Sequence, residues 1–244
     1  MRTDVLILGA GREGLSAAMA ARAAGLSAAV LECEAFGADA GDNEALAKAA
    51  AAAGVIMLDT EPSFALKDGF RLIGVTDGSE LFLARWTLDA TGRRAWLVEA
   101  LDLCRGGEDW ELASFHEAWT QTSTPAEFSV AGGPMAKGGL DMNWRHHDAA
   151  AGAGYFLLEE AASTLPGAVC RAHFATASSG TLCARLMNAC ARGLMTEAEA
   201  AAAYLERVNH QFFTRAWAIR ETRSGPLDAG AVRAISRARA ASEC

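Results

Sequence analysis

With 244 residues, 51% of them apolar, the chain is long enough to bury a sizeable core, and its length permits one large domain or two small ones. A formal net charge of −8 and a pI near 5.2 remove the general electrostatic support a nucleic-acid partner would need. Six cysteines without a C-x-x-C pair predict reduced thiols in a cytoplasmic protein, and no apolar run reaches the length of a bilayer crossing, so no membrane partner is expected.

The first segment alternates. "DVLILG" is the short continuous apolar run of a buried parallel strand, "GLSAAMAARAAG" is an alanine-rich helix stopped by Gly25, and "SAAVLE" is a second strand. "NEALAKAAAAAG" predicts another helix, capped by Asp42 or Asn43 and ended by Gly54, before the strand "VIMLD". The order is therefore β-α-β-α-β. "GFRLIGV" and "ELFLARWTLDA" then flank Asp77-Gly78, a tight-turn pair that predicts an inserted β-hairpin. Residues 98–152 carry weak periodicity, with only "GLDMNWRHH" alternating like a half-buried strand. After a strand "GYFLLEE", helices are predicted over 172–192 and 196–223, joined at Gly193. The expected organisation is a dinucleotide-binding βαβ region with its hairpin at 1–97, a reduced substrate or cap region at 98–152, and the second half of the nucleotide-binding domain with C-terminal helices at 153–244. The fold class this describes is α/β, with a central parallel sheet, an inserted β-hairpin and C-terminal helices.

Gly9, Gly11 and Gly14 form G-x-G-x-x-G between the first strand and the first helix, and Glu32 closes the second strand. In that setting the first glycine allows the tight turn, the second lets the backbone approach a pyrophosphate, and the third allows helix and strand to pack closely. The helix N-terminus then faces the phosphates and Glu32 the ribose hydroxyls, which disfavours a 2′-phosphate and prefers FAD or NAD over NADP. Arg12 and Glu13 stand where small residues are usual. Glu13 adds negative charge where the pyrophosphate belongs, and two readings stay open: Arg12 offsets it, or both side chains point away and only backbone amides face the ligand.

Four blocks carry a resemblance. "DVLILGAGREGLSAAMAARAAGLSAAVLE", "ARWTLDATGRRAWL", "YFLLEEAASTLPGAVCRAHFATASSGTLCARLM" and "YLERVNHQFFTRAWAIRETRSG" resemble the FAD fingerprint, the Asp-Ala-Thr-Gly turn, the second FAD motif and the closing helix of the FAD-dependent monooxygenase superfamily, which includes tryptophan-halogenase-like flavoproteins. The resemblance implies a Rossmann-like FAD/NAD(P)-binding fold with FAD as cofactor, held by Gly9, Ala10, Gly11, Arg12, Glu13, Gly14, Glu32, Thr91, Gly92, Glu160 and Ala161. It also exposes departures. The Gly-Asp of the family's second motif is replaced by Glu159 and Glu160, the loop glycines after it align with Val169 and Ala172, and the halogenase Trp-x-Trp-x-Ile-Pro motif is absent. The region available for a substrate domain is short.

Other constellations weigh less. His146-His147-Asp148 in an extended segment would put neighbouring imidazoles on opposite faces, so no metal site is assigned. Cys170 with His173 reads as packing, and no catalytic acid, base or nucleophile is assigned. The seven arginines from Arg207 to Arg239 read as a solvated helix face. Three functions follow: a compact FAD-dependent oxidoreductase of monooxygenase-like type; a non-catalytic scaffold with a degenerate flavin site, whose partner is another protein such as a larger redox enzyme; and, ranking third, an NAD-binding dehydrogenase.

Overall fold

A computed structural model describes residues 1–33, 40–103, 145–147, 149–164 and 179–224. Residues 104–144, with most of the 98–152 cap region, lie outside the described residues, as does 165–178, with Val169, Cys170, Arg171, Ala172 and His173.

The parallel half follows the sequence closely. Strand β1 (Arg2–Leu8) leads into α1 (Arg12–Ala23), β2 (Ala28–Glu32), α2 (Ala40–Ala52) and β3 (Ile56–Asp59), and β3, β2 and β1 pair in parallel in that order. Val5, Leu6, Ile7 and Leu8 are fully buried, because a strand covered on both faces has no polar side to alternate with. Helix α2 begins at Ala40, so Asp42 and Asn43 lie within the helix instead of capping it; alanine at position 40 extends the helix without conformational cost.

The inserted antiparallel element is larger than a hairpin. Strands β4 (Phe64–Asp68), β5 (Arg71–Thr76) and β6 (Leu81–Asp89) form a three-stranded meander. The signal for β4 is Asp68-Gly69, where Gly69 takes φ 57°, the same turn chemistry as Asp77-Gly78. β6 is long enough to pair in both senses within one eight-stranded sheet. One edge runs parallel to β1 from Leu83 to Asp89; on the other, its first residues pair with β5 and its last three, Thr87–Asp89, pair in parallel with β9 (Tyr155–Leu157). Short strand β8 (Ala151–Gly152) pairs antiparallel with β9, and β7 (Arg145–His146) and β10 (Ser163–Thr164) pair with each other in a separate two-stranded sheet. The later half of the chain thus enters the sheet beside Asp89, at the carboxyl end of β1 and β6, where open α/β sheets place ligands.

The predicted strand "GYFLLEE" is cut short. Pairing stops at Leu157, Leu158 N–H donates to Asp89 O at 2.8 Å, and Glu159–Ala161 make one turn of 3-10 helix. Glu159 and Glu160 are therefore turn residues, and the alternation of a strand does not govern where they point. A short helix α3 (Trp96–Ala100) follows β6, and downstream α4 (Ser179–Ala191) and α5 (Glu197–Ser224) flank Gly193 at φ 69°. No helix among the described residues is long and apolar enough to cross a membrane.

Helix α5 is locked to the sheet at two places. Glu197 pairs with Arg71 and, at 3.1 Å, with Arg85, which ties its first turn to β5 and β6. Tyr204, fully buried, donates to Leu157 O at 2.6 Å and stacks edge-on against Phe156 with ring centroids 5.2 Å apart. Tyr204→Phe keeps the ring contact and removes the donor, so it should cost about 1 kcal/mol in a denaturant titration.

Candidate functional site

The fingerprint glycines have different jobs. Gly9 lies at φ 99°, and a Cβ there would come within 2.6 Å of Ala90 O; a Cβ on Gly14 would stand 2.0 Å from Gly9 O. These two glycines let the loop, the first turn of α1 and the segment after β6 pack with backbone against backbone. Gly11 is the N-cap of α1, with φ −62° and ψ 172°, and a Cβ on it would meet nothing within 4 Å among the described residues. No side chain among the described residues caps the helix. The open space therefore lies over Gly11 and the uncapped amides of α1, which is the arrangement an anion needs.

Glu32 is drawn into this loop. Ala10 N–H donates to its Oε2 and Cys33 N–H donates to its Oε1 at 3.0 Å, so its carboxylate bridges the fingerprint loop and the end of β2. Each oxygen keeps a second lone pair for another donor.

Beside the loop, Asp89 anchors the next turn, a role that sequence reading did not assign to it. It is fully buried. Its Oδ1 accepts from Thr91 N–H at 3.0 Å and from Thr91 Oγ1–H at 2.6 Å, and its Oδ2 accepts from Leu97 N–H at 2.7 Å. Burial pushes its carboxyl above the usual range, with these hydrogen bonds and Arg94 pulling the other way. The bonds shape Thr91–Gly92, where Gly92 takes φ 61°, and Trp96 N–H closes the turn on Thr91 Oγ1 at 3.0 Å. The available signal was an aspartate ending an apolar strand two residues before a threonine.

Glu160 reaches this turn: its Oε2 lies 3.8 Å from where a Cβ on Gly92 would stand. Ala161 is fully buried behind it. Gly9–Gly14, Ala90–Gly92 and Glu160–Ala161, remote in sequence, thus form one strip along the carboxyl ends of β1, β6 and β9, with Glu32 closing one end.

Glu159 departs from that strip. Its backbone takes φ 46°, the left-handed region that favours glycine, and its Oε1 accepts from Ser179 N–H at 3.3 Å, at the start of α4. It pushes upward the pKa of Glu13. Glu13 is raised to about 7, first by burial and then by the Glu159 charge, with Arg12 opposing. Glu13 Oε2 is buried and makes no hydrogen bond among the described residues. Of the two sequence readings of Arg12 and Glu13, neither is complete: Arg12 is exposed, whereas Glu13 turns inward.

The sign of the resulting pH effect is fixed. A carboxyl raised on folding contributes stability that is full below its ordinary value of 4.5 and is lost as pH rises through about 7. Glu13→Gln should therefore be more stable than the parent at pH 8 by about 1 kcal/mol, a value discounted for solvent screening, with the advantage shrinking toward pH 5. Paired thermal melts across that range check this.

No family model matches the chain, and no curated protein matches it. Solved structures do. A myxobacterial chondrochloren halogenase, described as a variant of FAD-dependent halogenases, superposes with a TM-score of 0.63 at 13% identity, covering 98% of this chain and 88% of its own. A flavoprotein/dehydrogenase from Cytophaga hutchinsonii gives 0.63 at 12% identity, covering 90% and 86%. A geranylgeranyl bacteriochlorophyll reductase-like protein from Thermoplasma acidophilum gives 0.60 at 14%, covering 98% and 96%. The chain has the Rossmann-like fold shared by FAD-dependent halogenases and other flavoprotein oxidoreductases.

Proposed function

We propose that the chain binds FAD and acts as a compact flavoprotein oxidoreductase. The observation that carries this reading is the open, uncapped N-terminus of α1 over Gly11, framed by two glycines whose positions leave no room for a side chain. The residues present fit the diphosphate end of the cofactor. Gly11, Arg12 and Glu13 would offer backbone amides to the pyrophosphate, and Glu32, already fixed by Ala10 and Cys33, would receive ribose hydroxyls on its remaining lone pairs. Thr91–Gly92 and Glu160 would continue the contact, with Glu160 accepting from a hydroxyl of the cofactor's ribityl chain. When bound, FAD supplies the redox chemistry, and the protein's part is to hold and orient it.

A second reading is favoured by one observation. Glu159 occupies a left-handed backbone position and spends its carboxylate on the start of α4. A chain that keeps the dinucleotide cradle while filling the neighbouring space with its own carboxylate suits a non-catalytic relative that holds an adenine dinucleotide and serves a protein partner. Titration with FAD and with ADP-ribose separates the two. FAD binding at least tenfold tighter than ADP-ribose, with a flavin absorbance band in the purified protein, supports the oxidoreductase; equal affinities and a colourless protein support the scaffold.

A further inference from the structure

Helices α4 and α5, joined through Gly193, leave a cleft of about 300 Å³ between them. Its lining follows helical spacing: Tyr204, Val208 and Gln211 recur along one stripe of α5, and Leu182 and Arg185 stand three apart on α4. Tyr204 and Val208 are buried and Leu182 is half-buried, so the floor is apolar. The Tyr204 hydroxyl is already donated to Leu157 O and adds no free donor there. The rim is cationic. Arg185 and Arg207 are exposed at the cleft, and neither pairs with a carboxylate among the described residues, where the ion pairs are those of Lys48, Arg71 and Arg85. Arg207 is held in place. With the Gln211 amide oriented to accept, its Nε and Nη2 both donate to Gln211 Oε1 at 3.1 Å, which leaves the rest of its five N–H donors for another group. In a chain of net charge −8, two guanidiniums over one apolar floor without an acidic partner are a local reversal of sign.

We propose that this cleft binds a small amphipathic carboxylate, with its apolar body on Leu182, Tyr204 and Val208 and its carboxylate between Arg185 and Arg207. The volume suits roughly ten non-hydrogen atoms, at the ~30 Å³ that a molecule the size of water takes in a liquid. The apolar part leaves water on the floor of the cleft, and the charge stays at the rim. A carboxylate there gains charge-assisted hydrogen bonds from two guanidiniums without the cost of full burial. Pockets of this kind, mostly apolar with a few polar groups that fix orientation, are the usual form of a small-molecule site. The cofactor strip is elsewhere: none of Gly9–Gly14, Glu32, Ala90–Gly92 and Glu160–Ala161 lines the cleft. The ligand and FAD therefore do not compete.

Octanoate is the probe, and octanol its uncharged counterpart. A titration followed by ligand-observed NMR should show saturable octanoate binding, about tenfold tighter than octanol and weakened by high salt. The double variant Arg185→Gln with Arg207→Gln should lose about tenfold in octanoate affinity or more, with a nearly unchanged melting temperature, because both side chains are exposed. Leu182→Trp fills the floor and should abolish binding in a protein whose circular dichroism matches the parent. Saturating FAD should leave the octanoate affinity as it was. Octanoate that does not saturate, or that binds no better than octanol, overturns the site. So does octanoate that binds the double arginine variant or folded Leu182→Trp as tightly as the parent, or that FAD displaces.

Discussion

Alanine at Gly14 is expected to destabilise the protein by at least ~3 kcal/mol, while alanine at Gly11, three residues earlier in the same motif, should change stability by less than about 0.5 kcal/mol. The difference is steric. A methyl group on Gly14 would stand 2.0 Å from Gly9 O and 3.1 Å from Ala90 Cβ, and relief requires moving α1 off the end of β1. Gly11 has an ordinary extended backbone and open space around its Cβ position, so alanine fits without strain. Against a total stability on the order of 5–15 kcal/mol, the Gly14 change should lower the yield of folded protein and the melting temperature sharply. Binding should reverse the ranking of interest. Gly11→Ala keeps the fold and places a methyl group where the pyrophosphate belongs, so FAD affinity should drop about tenfold or more, about 1.4 kcal/mol. Denaturant titrations of both variants, with an FAD titration of Gly11→Ala, check the pair.

Asp89→Ala should cost roughly 3 kcal/mol, measured the same way. The carboxylate is fully buried and accepts three hydrogen bonds, two of them from the backbone N–H groups of Thr91 and Leu97. Removing it strands both amides away from water and frees the turn that carries Gly92. Asp89→Asn is the informative partner. Its amide oxygen can serve Thr91, but its NH₂ group cannot accept from Leu97 N–H, so about half the loss should remain. Because Thr91–Gly92 belongs to the proposed cofactor strip, FAD affinity should fall in both variants even at temperatures where they stay folded.

The parallel core was legible because its signals are local. "DVLILG" and "SAAVLE" are short apolar runs around an alanine-rich helix, and G-x-G-x-x-G fixes their junction, so strand, helix and turn agree without reference to the rest of the chain. Strand β4 was harder, since "FALKD" is brief and half-exposed, and its existence depends on pairing with β5. The two glutamates after β9 show another limit. "YFLLEE" continues an apolar run, and nothing in its composition shows that Leu158 gives its N–H to Asp89 and ends the pairing. The site divides in the same manner. The glycines and Glu32 were readable from spacing, whereas the Asp89 turn and the effect of the Glu159 charge on Glu13 arise from segments brought together only by the order of the sheet.

Whether the fingerprint loop and the uncapped start of α1 hold a flavin dinucleotide is tested by an FAD titration of the purified protein followed by flavin fluorescence, run in parallel on Gly11→Val. Saturable binding near one equivalent is expected in the parent and its loss in Gly11→Val, with both proteins giving the same circular dichroism spectrum. Absence of FAD binding by the folded parent, or equal binding by Gly11→Val, would contradict the dinucleotide reading.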